Sequence, residues 1–202
     1  MSSMLRLLIA MGLFASLAAC AGSNIVPRTD FIPASVVLMP SASDKSRQTF
    51  RADDLDMSKY ASVNVLKVDM RVKLNDLKRA DSLPAELRSN LQQFIGGVRS
   101  ESDSDTTLVV HAAITGARPD NPLSDMGTNQ SSRGGGGYTA VEIYATQGAS
   151  GPVVAAMTRT IYSHKLTLGS NAAWARTEKA LQMAADEFAK LLRPGMKFIE
   201  DN

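Results

Sequence analysis

The stretch YTAVEIYATQGASGPVVAAMTRTIYS, Tyr138 to Ser163, decides the fold. It holds two runs, YTAVEIYATQG and PVVAAMTRTIYS, that are rich in the β-branched and aromatic residues typical of strands. The residues between them, Ala149 to Gly151, predict a turn. Two strands joined by so short a turn pair antiparallel, so this stretch predicts a β-hairpin.

Further elements flank the hairpin on both sides. TTLVVHAAITGARP (Thr106–Pro119) and SVNVLKVDMRV (Ser62–Val72) predict strands, the second through its alternating valines. Pro84 is expected to open one amphipathic helix, and the stretch from Ser170 to Gly195 carries apolar residues at helical spacing and predicts another. Val36–Pro40 is either a short strand or a tucked segment, and residues 41–60 are polar and irregular. The prediction is a single α+β domain of order β-α-β-β-β-α, with an antiparallel-rich sheet and two amphipathic helices packed on one face.

The N-terminus is typical of an exported protein. Arg6 precedes an apolar run, Leu7–Leu17, and small residues follow, as in a secretory signal peptide. Leu17-Ala18-Ala19-Cys20 resembles the lipobox of bacterial lipoproteins, and Cys20 is the only cysteine. The resemblance implies that Cys20 becomes the first residue and carries a diacylglyceryl group and an N-acyl chain, which together make membrane binding effectively permanent. Two alternatives stay open: ordinary signal cleavage after Ala21, or an unmodified Cys20 within the signal.

The predicted location depends on the same segment. Ala21 after the lipidated cysteine resembles lipoproteins routed to the outer membrane, which implies a lipid-anchored protein facing the periplasm. We therefore divide the chain into a signal peptide (1–19), a lipidated tether (20–35) and an α+β domain of unknown function (36–202).

Composition narrows the possible partners. Without residues 1–19, which include Arg6, the chain has 21 Lys and Arg residues and 20 Asp and Glu residues, so its net charge is nearly neutral. This balance does not favour nucleic acid as a partner, because such domains usually carry a strongly basic face. Lipidation of Cys20 would leave no thiol for a disulfide.

A broader resemblance covers most of residues 50–193. The segments DLDMSKYASVNVLKVD, ARPDNPL and GGYTAVEIYATQGASGPVVAA, together with the helix around Trp174, resemble bacterial lipoproteins grouped as domain of unknown function 3313. The resemblance implies a lipoprotein of this fold and implies no reaction.

The sequence predicts no catalytic, cofactor or metal site. His111 is expected to be structural within a strand and His164 to lie at the surface. Asp53, Asp54 and Asp56 lack the glycine and glutamate of an EF-hand loop and are interpreted as a solvated turn. The glycines at 134–137 precede a strand and no lysine follows them, which favours a flexible entry to the hairpin over a phosphate loop.

A long polar loop after Pro119 is the place where binding is expected. Five residues of this region are candidates for contact with a partner: Arg118, Asn121, Asn129, Arg133 and Tyr138. The predicted function is a non-enzymatic accessory or interaction subunit of a cell-envelope assembly. The alternative is a membrane-tethered enzyme or small-ligand-binding protein with a site near loop 120–137, for which His111 beside Glu142 or Asp69 would be the place to look.

Overall fold

The computed structural model describes residues 28–99, 104–119, 137–162 and 170–194, with the side chains of 170–173 excepted. Seven strands and two long helices make up this part of the chain. Their bounds are β1 (Met39–Pro40), β2 (Arg47–Arg51), β3 (Ser62–Val65), β4 (Asp69–Met70), α1 (Leu77–Ile95), β5 (Thr107–Arg118), β6 (Tyr138–Gln147), β7 (Val153–Tyr162) and α2 (Ser170–Leu192).

The strands form one mixed sheet in the order β1-β2-β7-β6-β5-β3, with β4 also beside β5. β6 and β7 pair antiparallel, which confirms the hairpin. β5 pairs antiparallel with β6, whereas β3 and β4 run parallel to β5 because α1 crosses between them. The sheet is therefore mostly antiparallel, and the predicted α+β class is confirmed.

Both helices pack on one face of the sheet, as predicted. α1 lies against β3, β4 and β5, α2 lies against β6 and β7, and the two helices contact each other. Their apolar residues recur at helical spacing and form the main core with every second residue of the central strands. The largest fully buried side chains from the helices are Leu83, Leu87, Leu91 and Ile95 of α1 and Leu181, Phe188 and Leu192 of α2.

Three details of the elements differ from the prediction. The stretch 62–72 is two short strands, β3 and β4, rather than one. α1 begins seven residues before Pro84, because the carboxylate of Asp76 accepts a hydrogen bond from the Arg79 backbone N–H and caps the helix. The segment interpreted as irregular contains β2, which pairs with β7 over five residues.

Residues 28–35, which the sequence assigns to the tether, lie against the sheet instead. Together with residues 36–38 they form a non-strand segment, here named the strap (residues 28–38), that covers the sheet face opposite the helices. Ile32 and Val36 of the strap are buried there. The tether prediction is therefore wrong for residues 28–35; residues 20–27 lie outside the described part.

Candidate functional site

The sheet face opposite the helices, here named the outer face, carries most of the candidate groups. Side chains alternate between the two faces along a strand. In β5 and in β6, the residues that alternate with the core residues therefore point to the outer face. His111 and Tyr144 are cross-strand partners on it, as are Ala113 and Glu142. Asp69 of β4, the strand that neighbours β5 on the edge away from β6, also pairs with Ala113. The outer face thus brings His111, Glu142 and Asp69 into neighbouring positions, which is where a site would have to lie under the alternative function.

Glu142 ties the strap to the sheet. Its side chain is buried, and its two oxygens accept hydrogen bonds from the backbone N–H groups of Thr29 (2.5 Å) and Ile32 (3.4 Å). A buried carboxylate requires such donors, because an unpaired charge away from water is costly. Glu142 therefore acts as the acceptor that positions the strap over the middle of the sheet.

Side chains fix the rest of the strap. The Arg28 guanidinium donates to the carbonyls of Val36 (2.9 Å), Ile32 (2.9 Å) and Pro33 (2.7 Å), which folds the segment on itself. The Phe31 ring meets Tyr144 edge-on, with ring centroids 5.4 Å apart. Arg71 pairs with Asp30 and lies over the Phe31 ring, 5.1 Å from its centroid.

His111 lies partly buried beside the strap. Its ring stacks on Tyr144 with centroids 4.4 Å apart and planes 5° from parallel, and its Nε2 atom has no hydrogen-bond partner among the described residues. Burial lowers the pKa of His111, and the nearby Asp69 carboxylate opposes this shift. Burial also raises the pKa of Tyr144. The pair is held by stacking, with the imidazole favoured in its neutral form.

A second cluster lies on the outer face where β5 and β7 end and β6 begins. Arg118 and Tyr138 are cross-strand partners, and the guanidinium lies 5.4 Å from the centre of the Tyr138 ring. Tyr138 also pairs with Tyr162, with ring centroids 6.3 Å apart. Gly116 lies under the Tyr138 ring: a Cβ added there would come within 2.6 Å of Tyr138 Cε2. Glycine is therefore what lets the ring approach β5 so closely.

The predicted partner-binding residues are only partly described. Arg118 and Tyr138 are in contact with each other. Asn121, Asn129 and Arg133 lie outside the described residues, as do His164 and the lipidation site Cys20. Of the glycines at 134–137, only Gly137 is described, and it directly precedes β6.

The acidic turn before β3 has a structural role at one position. The Asp56 carboxylate accepts hydrogen bonds from the Ser58 backbone N–H and hydroxyl and caps a single 3-10 turn, Met57–Lys59. Hydrogen bonding to the Ser58 backbone lowers the pKa of Asp56. Asp53 and Asp54 are exposed. Among the described residues, no group of three or more His, Cys, Asp and Glu residues is arranged to hold a metal ion.

Sequence reasoning missed two buried polar arrangements. The strap was not foreseen, although the apolar residues of FIPASVVL could have indicated a segment that packs. The second arrangement lies on the helix side of the sheet. The sequence predicts a strand around Arg159 but gives no sign that this residue forms buried ion pairs. Arg159 is largely buried, and its Nε lies 3.0 Å from Glu187 Oε2 of α2 while another nitrogen lies 2.6 Å from Asp44. Arg159 therefore joins β7, α2 and the turn before β2.

Within the described ranges, neither helix is long and apolar enough to cross a bilayer.

Comparisons with known proteins give likenesses of fold at low identity. No protein-family model matches the chain, and no curated protein does. The resemblance to domain of unknown function 3313 therefore stays a prediction.

Among solved structures, the chain is similar to the PelC dodecamer from Paraburkholderia phytofirmans, with 14% identity, a TM-score of 0.46, and coverage of 71% of this chain and 96% of that one. It is also similar to a DUF330 protein from Xanthomonas campestris (14% identity, TM-score 0.44, 70% and 90% coverage). A third is a minor lipoprotein from Acinetobacter baumannii (12% identity, TM-score 0.36, 65% and 91% coverage). Because all three TM-scores are below 0.5, these likenesses do not extend to function.

Proposed function

We propose that this chain is a lipid-anchored protein of the bacterial cell envelope that serves a larger assembly as a non-enzymatic interaction subunit. Cys20 carries a diacylglyceryl group and an N-acyl chain, and the anchor lies in the outer membrane with the domain facing the periplasm. The motif Leu17-Ala18-Ala19-Cys20 behind a short apolar leader supports the anchor.

The cluster of Arg118, Tyr138 and Tyr162 is the observation that carries the interaction role. Arg118 is exposed, and Tyr138 and Tyr162 are half-buried. Each tyrosine therefore presents an apolar ring and a polar hydroxyl group at the same surface as the Arg118 guanidinium. Arginine and tyrosine are the residue types enriched at the centres of protein interfaces. Three paired strands hold the cluster, which lowers the ordering cost on binding.

The cluster also lies next to the predicted binding loop. Pro119 and Gly137, the described residues that flank the stretch 120–136, directly follow Arg118 and precede Tyr138. The three loop candidates, Asn121, Asn129 and Arg133, belong to the stretch of sequence that Arg118 and Tyr138 flank. We propose that the same partner contacts the cluster and residues of this stretch.

In-cell photo-crosslinking tests this surface. A photoreactive phenylalanine derivative replaces Tyr138 in the full-length protein, and the same derivative replaces Tyr60 as the matched control. Tyr60 is also a half-buried tyrosine, but it lies before β3, at the opposite end of the sheet. We expect position 138 to crosslink to one envelope protein, position 60 to give no such product, and Arg118→Ala to weaken the crosslink. Identical products from both positions would contradict the proposed surface.

A further inference from the structure

We propose that the strap is a separately releasable latch, held by Glu142, that sets how far the anchored domain can move from the membrane. The reach rests on the proposed lipid anchor, whereas the latch stands on contacts within the domain. The strap lies between the anchor and the sheet in the chain, so any change in its docking changes the length of free tether.

The strap is held by side chains rather than by a strand ladder. Residues 28–38 are all described, and none of them belongs to a strand. Within the described part of the chain, its hydrogen bonds and ion pairs to the rest of the domain are the two hydrogen bonds to Glu142 and the pair between Asp30 and Arg71. The Asp30–Arg71 pair is exposed and is therefore worth little. Glu142, which is buried, makes the polar contact that matters most for docking.

The strap packs in a small cluster of its own. Ile32 and Val36 bury themselves with Ala156, and Phe50 and Tyr144 pack around them. The main core lies on the other side of the sheet, between the sheet and the helices, and contains no strap residue. Elements with few buried contacts and no ladder open locally at lower free energy than the global core. The strap can therefore leave the sheet while the helix-side core stays intact.

The three hydrogen bonds from Arg28 lie within the strap. They tie Arg28 to Ile32, Pro33 and Val36 and do not involve the sheet. The strap is thus organised internally, so its docking and release involve the segment as a unit rather than one residue at a time.

Release would lengthen the tether considerably. With the strap docked, residues 20–27 precede it in the sequence, and a chain of eight residues can span at most about 28 Å. With the strap released, residues 20–38 separate the anchor from the sheet, and a chain of that length can span at most about 65 Å. A docked strap therefore keeps the domain next to the lipid headgroups, and a released strap lets it move outward.

The test uses the full-length, lipidated protein in phospholipid vesicles. Glu142→Gln keeps the size of the side chain, but an amide replaces one acceptor oxygen with an NH2 group that only donates, so one strap N–H then faces a donor. Glu187→Gln is the matched control, because Glu187 is also a largely buried carboxylate but serves Arg159 on the helix side. Hydrogen exchange of residues 28–38 measures release. Energy transfer from a dye on Ser58→Cys, an exposed position, to a lipid dye measures distance from the membrane.

We expect Glu142→Gln to speed exchange of the strap about tenfold, with β5 and β6 unchanged, and to lower energy transfer to the membrane. Glu187→Gln should not speed exchange of the strap selectively and should not lower energy transfer to the membrane. Strap exchange that is as slow as that of β5 in every variant would overturn the latch. Faster strap exchange with unchanged energy transfer would overturn the control of reach. A protein that carries no lipid by mass would overturn the anchor and the reach, while the exchange result would still decide the latch.

Discussion

Replacing Gly116 with alanine is expected to disrupt the cluster of Arg118, Tyr138 and Tyr162. An alanine Cβ at this position would lie 2.6 Å from Tyr138 Cε2 and 3.2 Å from the Ala140 Cβ. Ordinary carbon contacts begin near 3.4 Å, so the Tyr138 ring must move by at least about 0.8 Å. Because β5, β6 and β7 are paired with one another at this site, the backbone cannot easily absorb the shift.

The expected loss of stability is about 1–3 kcal/mol, the usual cost of adding a methyl group to a well-packed site. Most of this cost comes from one contact, between the new methyl group and the Tyr138 ring. The Ala140 contact is short by only a few tenths of an ångström and should contribute less. The displaced ring would also leave its position against the Arg118 guanidinium.

A double-mutant cycle measures this directly by urea unfolding. Gly116→Ala is made in the native chain and in a Tyr138→Ala background, with Tyr138→Ala alone as the fourth corner of the cycle. Without the ring, the alanine at 116 has room, so its cost should fall below about 1 kcal/mol. Costs that add, with Gly116→Ala equally harmful in both backgrounds, would refute the reasoning, because the ring would then not be what glycine accommodates.

Two further predictions concern ionisable side chains on the two faces of the sheet, Glu187 on the helix side and His111 on the outer face. Glu187→Ala should destabilise the domain by about 3 kcal/mol in thermal or urea unfolding, because the buried Arg159 loses its α2 carboxylate and keeps Asp44 as its remaining carboxylate partner. Replacing Arg159 and Glu187 together by apolar residues should recover much of the loss. Burial lowers the pKa of His111 in the folded protein below its ordinary value of 6.5. As the pH falls below 6.5, the imidazole therefore becomes protonated in the unfolded chain before it does so in the folded protein, and stability is lost. His111→Phe keeps the stack on Tyr144 and should lessen the loss of stability between pH 6.5 and about 5, as measured by urea unfolding, with no such gain at about pH 8.

The elements with strong periodicity were predictable from sequence. The hairpin of β6 and β7, strand β5 and helix α2 follow from runs of β-branched residues and from apolar residues at helical spacing. β2 was not predictable in the same way, because RQTFR has one apolar residue. The Arg51 side chain donates a hydrogen bond to the Leu191 carbonyl of α2, a contact that the sequence pattern does not indicate. The place of β2 in the sheet depends on the pairing with β7, more than a hundred residues away.

The strap and the latch were hidden for a related reason. Two prolines and no periodicity made the region before β1 resemble a linker, and Glu142 stands in the sequence as one acid among apolar strand residues. Their connection is a contact between the strap backbone and a side chain 110 residues later. The Arg118–Tyr138 contact was closer to prediction, because both residues flank the loop that was expected to bind a partner.

The intact mass of the membrane-extracted protein, compared with that of a Cys20→Ala variant, tests the proposed lipid anchor most directly. We expect a mass above that of residues 20–202 by a diacylglyceryl and an acyl group, and no such increase in the variant. An unmodified chain that begins after Ala21 would contradict the anchor, because the protein would then have no lipid and the strap no membrane to hold the domain against.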